Sequence, residues 1–358
     1  MNVAVLGSGN GGCGVAFDWA QQGHQVGIFD FEEFPTNVAA IAAQGGIRSS
    51  GQLEGSEEIR YAGHDIAQAL DGAELILAVS PAFATARIAA AAQLHLRPGQ
   101  NIVVCPGSCA GSLVFKTTLG LAPDDGTYNI GETSTLPYAV RVTGPGEIRV
   151  FLKLEAGLSV AAVPRCGTEE LHAALHDVYP GLTAAASVLQ TTLQNGNPVI
   201  HPAVTLLNAA LIERTGGSFD FYEDGVTESV GRLIEGVDSE RLALAAALGV
   251  TVLSDPAMGV LQGYMVEENY STGYSAAPGF RGIKAQSRLD NRYLTEDVGY
   301  GMVFLSDLGR QIGVPTPVMD AIIEVASVLM ARDFRGEQKR TMATAGLADL
   351  TREQLSAI

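Results

Sequence analysis

The chain has 358 residues, 47% of them hydrophobic, enough apolar material for the cores of two domains. Its 39 acidic against 22 basic side chains leave a net charge of −17 with no basic run, which argues against nucleic acid as a partner and assigns the acidity to solubility. No apolar run approaches the roughly 20 residues of a membrane span, and a first strand starting at residue 2 leaves no room for a signal peptide, so a cytoplasmic protein is expected.

In chain order, Val3 to Leu6 is a short apolar run of the kind buried on both faces of a parallel sheet. Gly7-Ser-Gly9-Asn10-Gly11-Gly12 follows at once, then a helical stretch to about Gln22 with Val15, Ala16, Trp19 and Ala20 on one stripe. Gln25 to Phe29 reads as a second strand with Asp30 at its end, 18 residues past Gly12. Strand, glycine turn, helix, strand and acid in this spacing form a dinucleotide-binding unit. Gly7 permits the turn, Gly9 lets the backbone approach a pyrophosphate, Gly12 lets the helix sit close on the strand, and Asn10 and Gly11 open the helix N-terminus to phosphate. Asp30 is placed to accept from a ribose diol. A 2′-phosphate there would meet Asp30, Glu32 and Glu33 with no nearby Arg, so NAD is expected over NADP.

The alternation continues with a helix over 36–43, short strands within 45–63, a short helix over 66–70, a strand over 74–79 and an alanine-rich helix over 82–94. A strand over 102–105 follows, then strands over 128–131, 146–153 and 158–163 and a helix over 168–178. Ser80-Pro81 and the turn Pro106-Gly107-Ser108 lie at strand ends, where open α/β sheets bind ligands, and are candidates for the nicotinamide side of the cofactor. From about residue 184 the pattern becomes helical almost throughout: 186–195, from Pro198 or Pro202 to 214, 228–248, 256–264, 297–311 and 317–332. The expected organisation is a Rossmann domain over 1–184 and an all-α domain over 185–358, with substrate and catalytic groups between them. The four cysteines, Cys13, Cys105, Cys109 and Cys166, have no disulfide or metal-site spacing, so no metal is expected.

In several NAD-dependent families of this build a Lys opening the helical part is the proton donor, yet no Lys occurs between Lys153 and Lys284. His201, the only one of six histidines in the helical half, stands in its place within Asn197-Pro-Val-Ile-His201-Pro202. If one helix carries both, Asn197 and His201 share a face. If Pro202 is the first helical residue, His201 is instead a cap. The second cluster is Arg292-Tyr-Leu-Thr-Glu-Asp297, in which Arg suits a carboxylate and Asp suits holding a charged His. Five residues apart, Arg292 and Asp297 point in different directions and serve separate partners, unless the stretch is simply a solvated charge cluster.

These residues resemble the opine dehydrogenase family, and especially its bacterial N-(1-carboxyethyl)-amino acid dehydrogenases; octopine and nopaline dehydrogenases are similar at greater distance. The resemblance covers nearly the whole chain. It runs through Val5-Leu-Gly-Ser-Gly-Asn-Gly-Gly, Gly131-Glu-Thr, Asn197-x-x-x-His201-Pro202, Tyr222-x-x-Gly-Val-Thr, Tyr274, Arg281-Gly-Ile, Asn291-Arg-Tyr-x-x-Glu-Asp297 and Val314-Pro-Thr-Pro. It implies a helical domain of the 6-phosphogluconate dehydrogenase C-terminal type. It also implies His201 as catalytic acid/base, Asp297 as its partner, Asn197 as a further active-site residue and Arg292 as the group binding the α-keto acid carboxylate. The implied reaction is NADH-dependent reductive condensation of an L-amino acid with pyruvate or a related keto acid through an imine. A hydroxy-acid or ketopantoate-type reductase and a non-enzymatic NAD-binding sensor are the competing readings. A homodimer is a common state for such two-domain enzymes.

Overall fold

The structure, a computed structural model, describes residues 1–358. The chain divides into two compact units, Met1–Thr191 with Ile358, and Thr192–Ala357. The first contains twelve strands: β1 (Asn2–Leu6), β2 (Gln25–Phe29), β3 (Gly46–Gly51), β4 (Gly55–Glu58), β5 (Tyr61–Gly63), β6 (Leu75–Ala78), β7 (Asn101–Val104), β8 (Asn129–Thr133), β9 (Tyr138–Gly144), β10 (Glu147–Lys153), β11 (Leu158–Val163) and β12 (Leu182–Ala184). Its helices are α1 (Asn10–Gln21), α2 (Pro35–Gln44), α3 (Ile66–Leu70), α4 (Thr85–Ala92), α5 (Gly111–Thr118) and α6 (Thr168–His176); α7 (Val188–Leu193) runs on into the second unit.

Eight strands form one sheet in the order β12-β11-β8-β7-β6-β1-β2-β5. β1 pairs in parallel with β2 on one side and β6 on the other. The winding therefore reverses at β1, and the crevice of such a sheet lies beyond the carboxyl end of that strand, at the glycine turn. Alternate β1 side chains feed opposite cores. Val3 and Val5 pack with Val15, Ala16 and Trp19, whereas Ala4 and Leu6 pack with Ile88, Ala89 and Phe115. This two-sided burial explains why the strand reads as a continuous apolar run.

A second sheet, β4-β3-β10-β9, is absent from the sequence expectation, which lacks strand β9 altogether. Its apolar face, including Tyr138, Val140, Ile148 and Val150, packs in the same core as α1. Helix α1 is consequently buried at every residue from Gly12 to Ala20, not along the single stripe its sequence suggests. Asp18 inside it is fully buried and needs a partner. Lys153 Nζ lies 2.7 Å from Asp18 Oδ2, and the Tyr138 hydroxyl donates to the same oxygen at 2.6 Å. The expected helix over 82–94 is broken into a 3₁₀ turn, α4 and a second 3₁₀ turn.

The second unit is helical: α8 (Asn197–Leu207), α9 (Ala209–Thr215), α10 (Glu228–Leu248), α11 (Asp255–Leu261), α12 (Thr272–Ser275), α13 (Arg292–Thr295), α14 (Val303–Ile312), α15 (Pro317–Met330) and α16 (Arg352–Ser356). Asp297–Met302, expected as the start of a regular helix, is a π-helix joining α13 to α14. No helix is long and apolar enough to cross a membrane.

Candidate active site

The glycine turn has the shape that a backbone-bound phosphate requires. A Cβ on Gly7, at φ +120°, would lie 2.1 Å from the Val79 carbonyl oxygen, and one on Gly12 would lie 1.9 Å from that of Gly7. Neither position tolerates a side chain. Space around Gly9 is open, with nothing within 4 Å. The first intrahelical bond of α1 is Cys13 N–H to the Gly9 carbonyl, which leaves the preceding N–H groups of Asn10, Gly11 and Gly12 outside the helix ladder, as at any helix start. Asn10 uses its side chain to accept from Val142 N–H at 2.8 Å. Ser80 and Pro81 stand at the end of β6, against the turn, with Pro81 exposed. A dinucleotide pyrophosphate fits this cradle.

Asp30 ends β2 as expected, and its carboxylate is already engaged. Oδ2 accepts from Ser8 N–H and Ser8 Oγ, each at 2.7 Å, and Oδ1 accepts from Phe31 N–H at 2.8 Å. Three of about four carboxylate acceptor positions are used. The expectation that no arginine approaches this place is wrong. Arg87, on α4, sets its guanidinium 3.7 Å above the Phe31 ring and forks onto the Glu33 carboxylate. It is remote in sequence and near in space because Phe31, just after β2, packs against the same core as Ile88 and Ala89 of α4.

The turn after β7 bears three successive left-handed residues, Ser108, Cys109 and Ala110, at φ 44°, 65° and 59°. A Cβ on Gly107 would lie 2.4 Å from the Glu132 carboxyl carbon. Glu132 itself is fully buried and accepts from Ser112 N–H, Ser112 Oγ and Thr191 Oγ1 at 2.9, 2.8 and 3.0 Å. The Gly131-Glu-Thr motif thus staples this turn from behind.

In the helical unit, α8 begins at Asn197, so Pro202 lies inside the helix and His201 is not a cap. Asn197 and His201 are four residues apart and share a face. His201 is 8% exposed, and its Nδ1 lies 2.7 Å from Asp297 Oδ2. Its Nε2 lies 3.2 Å from the Tyr222 hydroxyl, and Tyr293 stacks on the ring at 3.9 Å between centroids. Burial, then the nearby Tyr293, Asp255 and Asp297, hold the Tyr222 phenol well above its usual range, so its proton stays on. Asp297 is the first residue of the π-helix, a rare local geometry that turns this carboxylate back onto α8.

Arg292 is not brought to His201. Its Nε pairs with Glu296 at 3.3 Å, one turn on, and its side chain is 56% exposed. Arg292 and Asp297 do serve separate partners, Glu296 and His201.

Sequence reasoning overlooked Tyr222, Tyr293 and Asp255 as site residues, although both tyrosines lie inside the quoted motifs. Asp255 opens α11 and lies under the start of α8: a Cβ on Gly196 would be 1.8 Å from its Oδ1. The Tyr274 hydroxyl donates to its Oδ2. Burial first, then Asp238, pushes its carboxyl up to about 6, against the pull of Tyr274, Arg241 and His201. Phe280 stacks on Tyr222 at 4.3 Å and Tyr264 at 5.5 Å, extending an aromatic wall from the His201 pair.

The helical part, residues 184–330, matches the family model for the NAD/NADP octopine/nopaline dehydrogenase alpha-helical domain, and residues 2–107 match that of the NAD-dependent glycerol-3-phosphate dehydrogenase N-terminus. Octopine dehydrogenase solved with NADH and agmatine superposes with a TM-score of 0.81 at 18% identity, covering 100% of this chain and 98% of its own. The form with NADH and pyruvate gives 0.73 at 19%, covering 92% and 88%. At such identity these two likenesses show the fold. An opine dehydrogenase of Arthrobacter sp. (strain 1C) is 37% identical over 97% of this chain and 96% of its own. On that sustained identity the chain belongs to the opine dehydrogenase family and is an NAD-dependent oxidoreductase.

Proposed function

We propose that the protein condenses an L-amino acid with pyruvate or a related α-keto acid and reduces the resulting imine, with His201 as acid/base. The observation that carries this is the buried His201–Asp297 pair. A carboxylate can only accept, so Nδ1 carries the proton shared with Asp297, and Nε2 is the position free to exchange one. Attack of the amine on the keto carbon needs a proton taken from the ammonium, and loss of water from the carbinolamine needs one given to the leaving hydroxyl. Nε2 does both in turn, with the Tyr222 hydroxyl 3.2 Å away keeping that position hydrogen-bonded. Tyr293, stacked on the imidazole, prevents it from tipping. Arg292, exposed and paired with Glu296, turns from that pair to take the keto acid carboxylate, and Asn197 meets a polar group of the substrate. When bound, NADH supplies the hydride that reduces the C=N carbon. Gly7, Gly9, Asn10, Gly11 and Gly12 would hold its pyrophosphate, Asp30 its adenosine ribose, and Ser80 and Pro81 its nicotinamide side. The solved octopine dehydrogenase complexes with NADH support this set of ligands.

The test is NADH oxidation with pyruvate and a panel of amino acids. Turnover that requires both substrates is expected. Oxidation with pyruvate alone would make the protein a hydroxy-acid enzyme, and none with any combination would end the proposal. A cytoplasmic homodimer belongs to the same reading, and sedimentation velocity checks the dimer.

A further inference from the structure

Three acids in a row of four residues, Asp30, Glu32 and Glu33, stand where a 2′-phosphate would lie and repel it. Arg87 stands among them. Its guanidinium lies 3.7 Å over Phe31, the residue next to Asp30, and is 51% exposed, so one face rests on the ring while the group stays open to solvent. Both terminal nitrogens engage Glu33, whose carboxylate is 47% exposed. Arg87 stacks on a residue that lies between Asp30 and Glu33 in the chain, which puts the three charges in one neighbourhood. His64 completes the set, its Nδ1 2.8 Å from the Asp30 carbonyl oxygen. An arginine fork beside the ribose-binding acid is the group that dinucleotide folds use to accommodate a 2′-phosphate. Here that fork is occupied by a carboxylate of the same loop.

We propose that Arg87 is the platform for the cofactor's adenine and that Glu33, by holding its fork, is the residue that excludes a 2′-phosphate. The planar guanidinium on Phe31 offers its outer face to a purine. With Glu33 in place, a phosphate must displace a carboxylate from a bidentate pair and then lie beside it. Without Glu33, the Arg87 fork is released beside the ribose-binding acid, with Asp30 and Glu32 the acids that remain. Selectivity therefore sits in a side chain that need not touch bound NADH. Both groups are on the surface, so their substitution leaves the core intact. The inference rests on the dinucleotide reading of the glycine turn.

The experiment measures dissociation constants by calorimetry for NADH, NADPH, ADP-ribose and 2′-phospho-ADP-ribose, without substrates. The unmodified protein should prefer NADH. Glu33→Gln should tighten NADPH and 2′-phospho-ADP-ribose by about 10-fold, the worth of one freed charge-assisted hydrogen bond, and leave NADH within about 3-fold. Arg87→Ala should weaken NADH and ADP-ribose by about 5-fold, a stacking contribution of order 1 kcal/mol, and should abolish the NADPH gain when combined with Glu33→Gln. An unchanged NADPH constant in Glu33→Gln, or wild-type NADH binding in Arg87→Ala, would make the pair an ordinary surface ion pair and overturn the proposal. Failure of the unmodified protein to bind either dinucleotide would instead overturn the reading on which it rests.

Discussion

Replacing Asp297 by Asn tests the acid/base assignment most directly. The change is nearly isosteric, and Asp297 is 4% exposed, so little packing is disturbed. What is lost is a negative charge whose Oδ2 is 2.7 Å from His201 Nδ1. For charge centres about 4 Å apart, at the effective dielectric of about 20 that suits such sites, the attraction to a protonated imidazole is about 4 kcal/mol. If most of that attraction acts where His201 carries the proton, kcat falls by about 10²–10³, at about 1.4 kcal/mol per factor of ten. The amide oxygen can still accept from Nδ1–H, so ring orientation survives and the NADH dissociation constant should not move. Steady-state NADH oxidation gives kcat, calorimetry gives cofactor binding, and thermal melting reports the fold. An Asp297→Asn enzyme that folds, binds NADH and retains kcat within about 3-fold would refute the role given to the pair.

Tyr222→Phe removes the hydroxyl at His201 Nε2 while keeping the stack on Phe280. A neutral hydrogen bond of about 1 kcal/mol predicts a kcat loss of about 5-fold, read in the same assay. Gly12→Ala places a methyl against the Gly7 carbonyl, so NADH binding by fluorescence titration should weaken by more than about 10-fold through strain in the turn. Asp255 has a folded-state carboxyl raised from 3.8 to about 6, so its charged form opposes folding above that pH and the penalty is relieved as pH falls through about 6. Denaturation at pH 7 and pH 5 should therefore show the wild type gaining stability relative to Asp255→Asn at the lower pH. Equal changes in both proteins would refute it.

Much of the first unit was legible because its signals are local. The apolar run of β1 and the glycine spacing follow from the needs of one turn and two neighbouring strands. Strand β9 was not legible. Its residues Tyr138–Gly144 alternate in burial only because α1 lies on one side of them, and α1 in turn is buried all round because that second sheet covers it. Each element explains the other, and neither carries the fact alone. Asp18 shows the same limit: an acid on a helix reads as solvated until Lys153 and Tyr138 arrive from β10 and β9.

The site divides along the same line. His201 and Asp297 stood out because their neighbours formed motifs, but the register of α8 did not. Whether Asn197 or Pro202 opened the helix was undecidable from sequence, since proline favours either place. The deciding residue lies elsewhere. Asp255, held by Tyr274, leaves no room for a side chain at Gly196, the Asn195 side chain accepts from Asn197 N–H, and the chain enters α8 at Asn197 with His201 one turn inside. Only from there does its ring reach Tyr222 on one nitrogen and Asp297 on the other. Arg87 makes the parallel case in the first unit. It is 57 residues from Asp30 in sequence, yet Phe31 packs against the core that α4 joins, which sets Arg87 over the Phe31 ring. In both units the motif residues are local, and the residues packed against them, Asp255 beside Gly196 and Arg87 over Phe31, come from far along the chain.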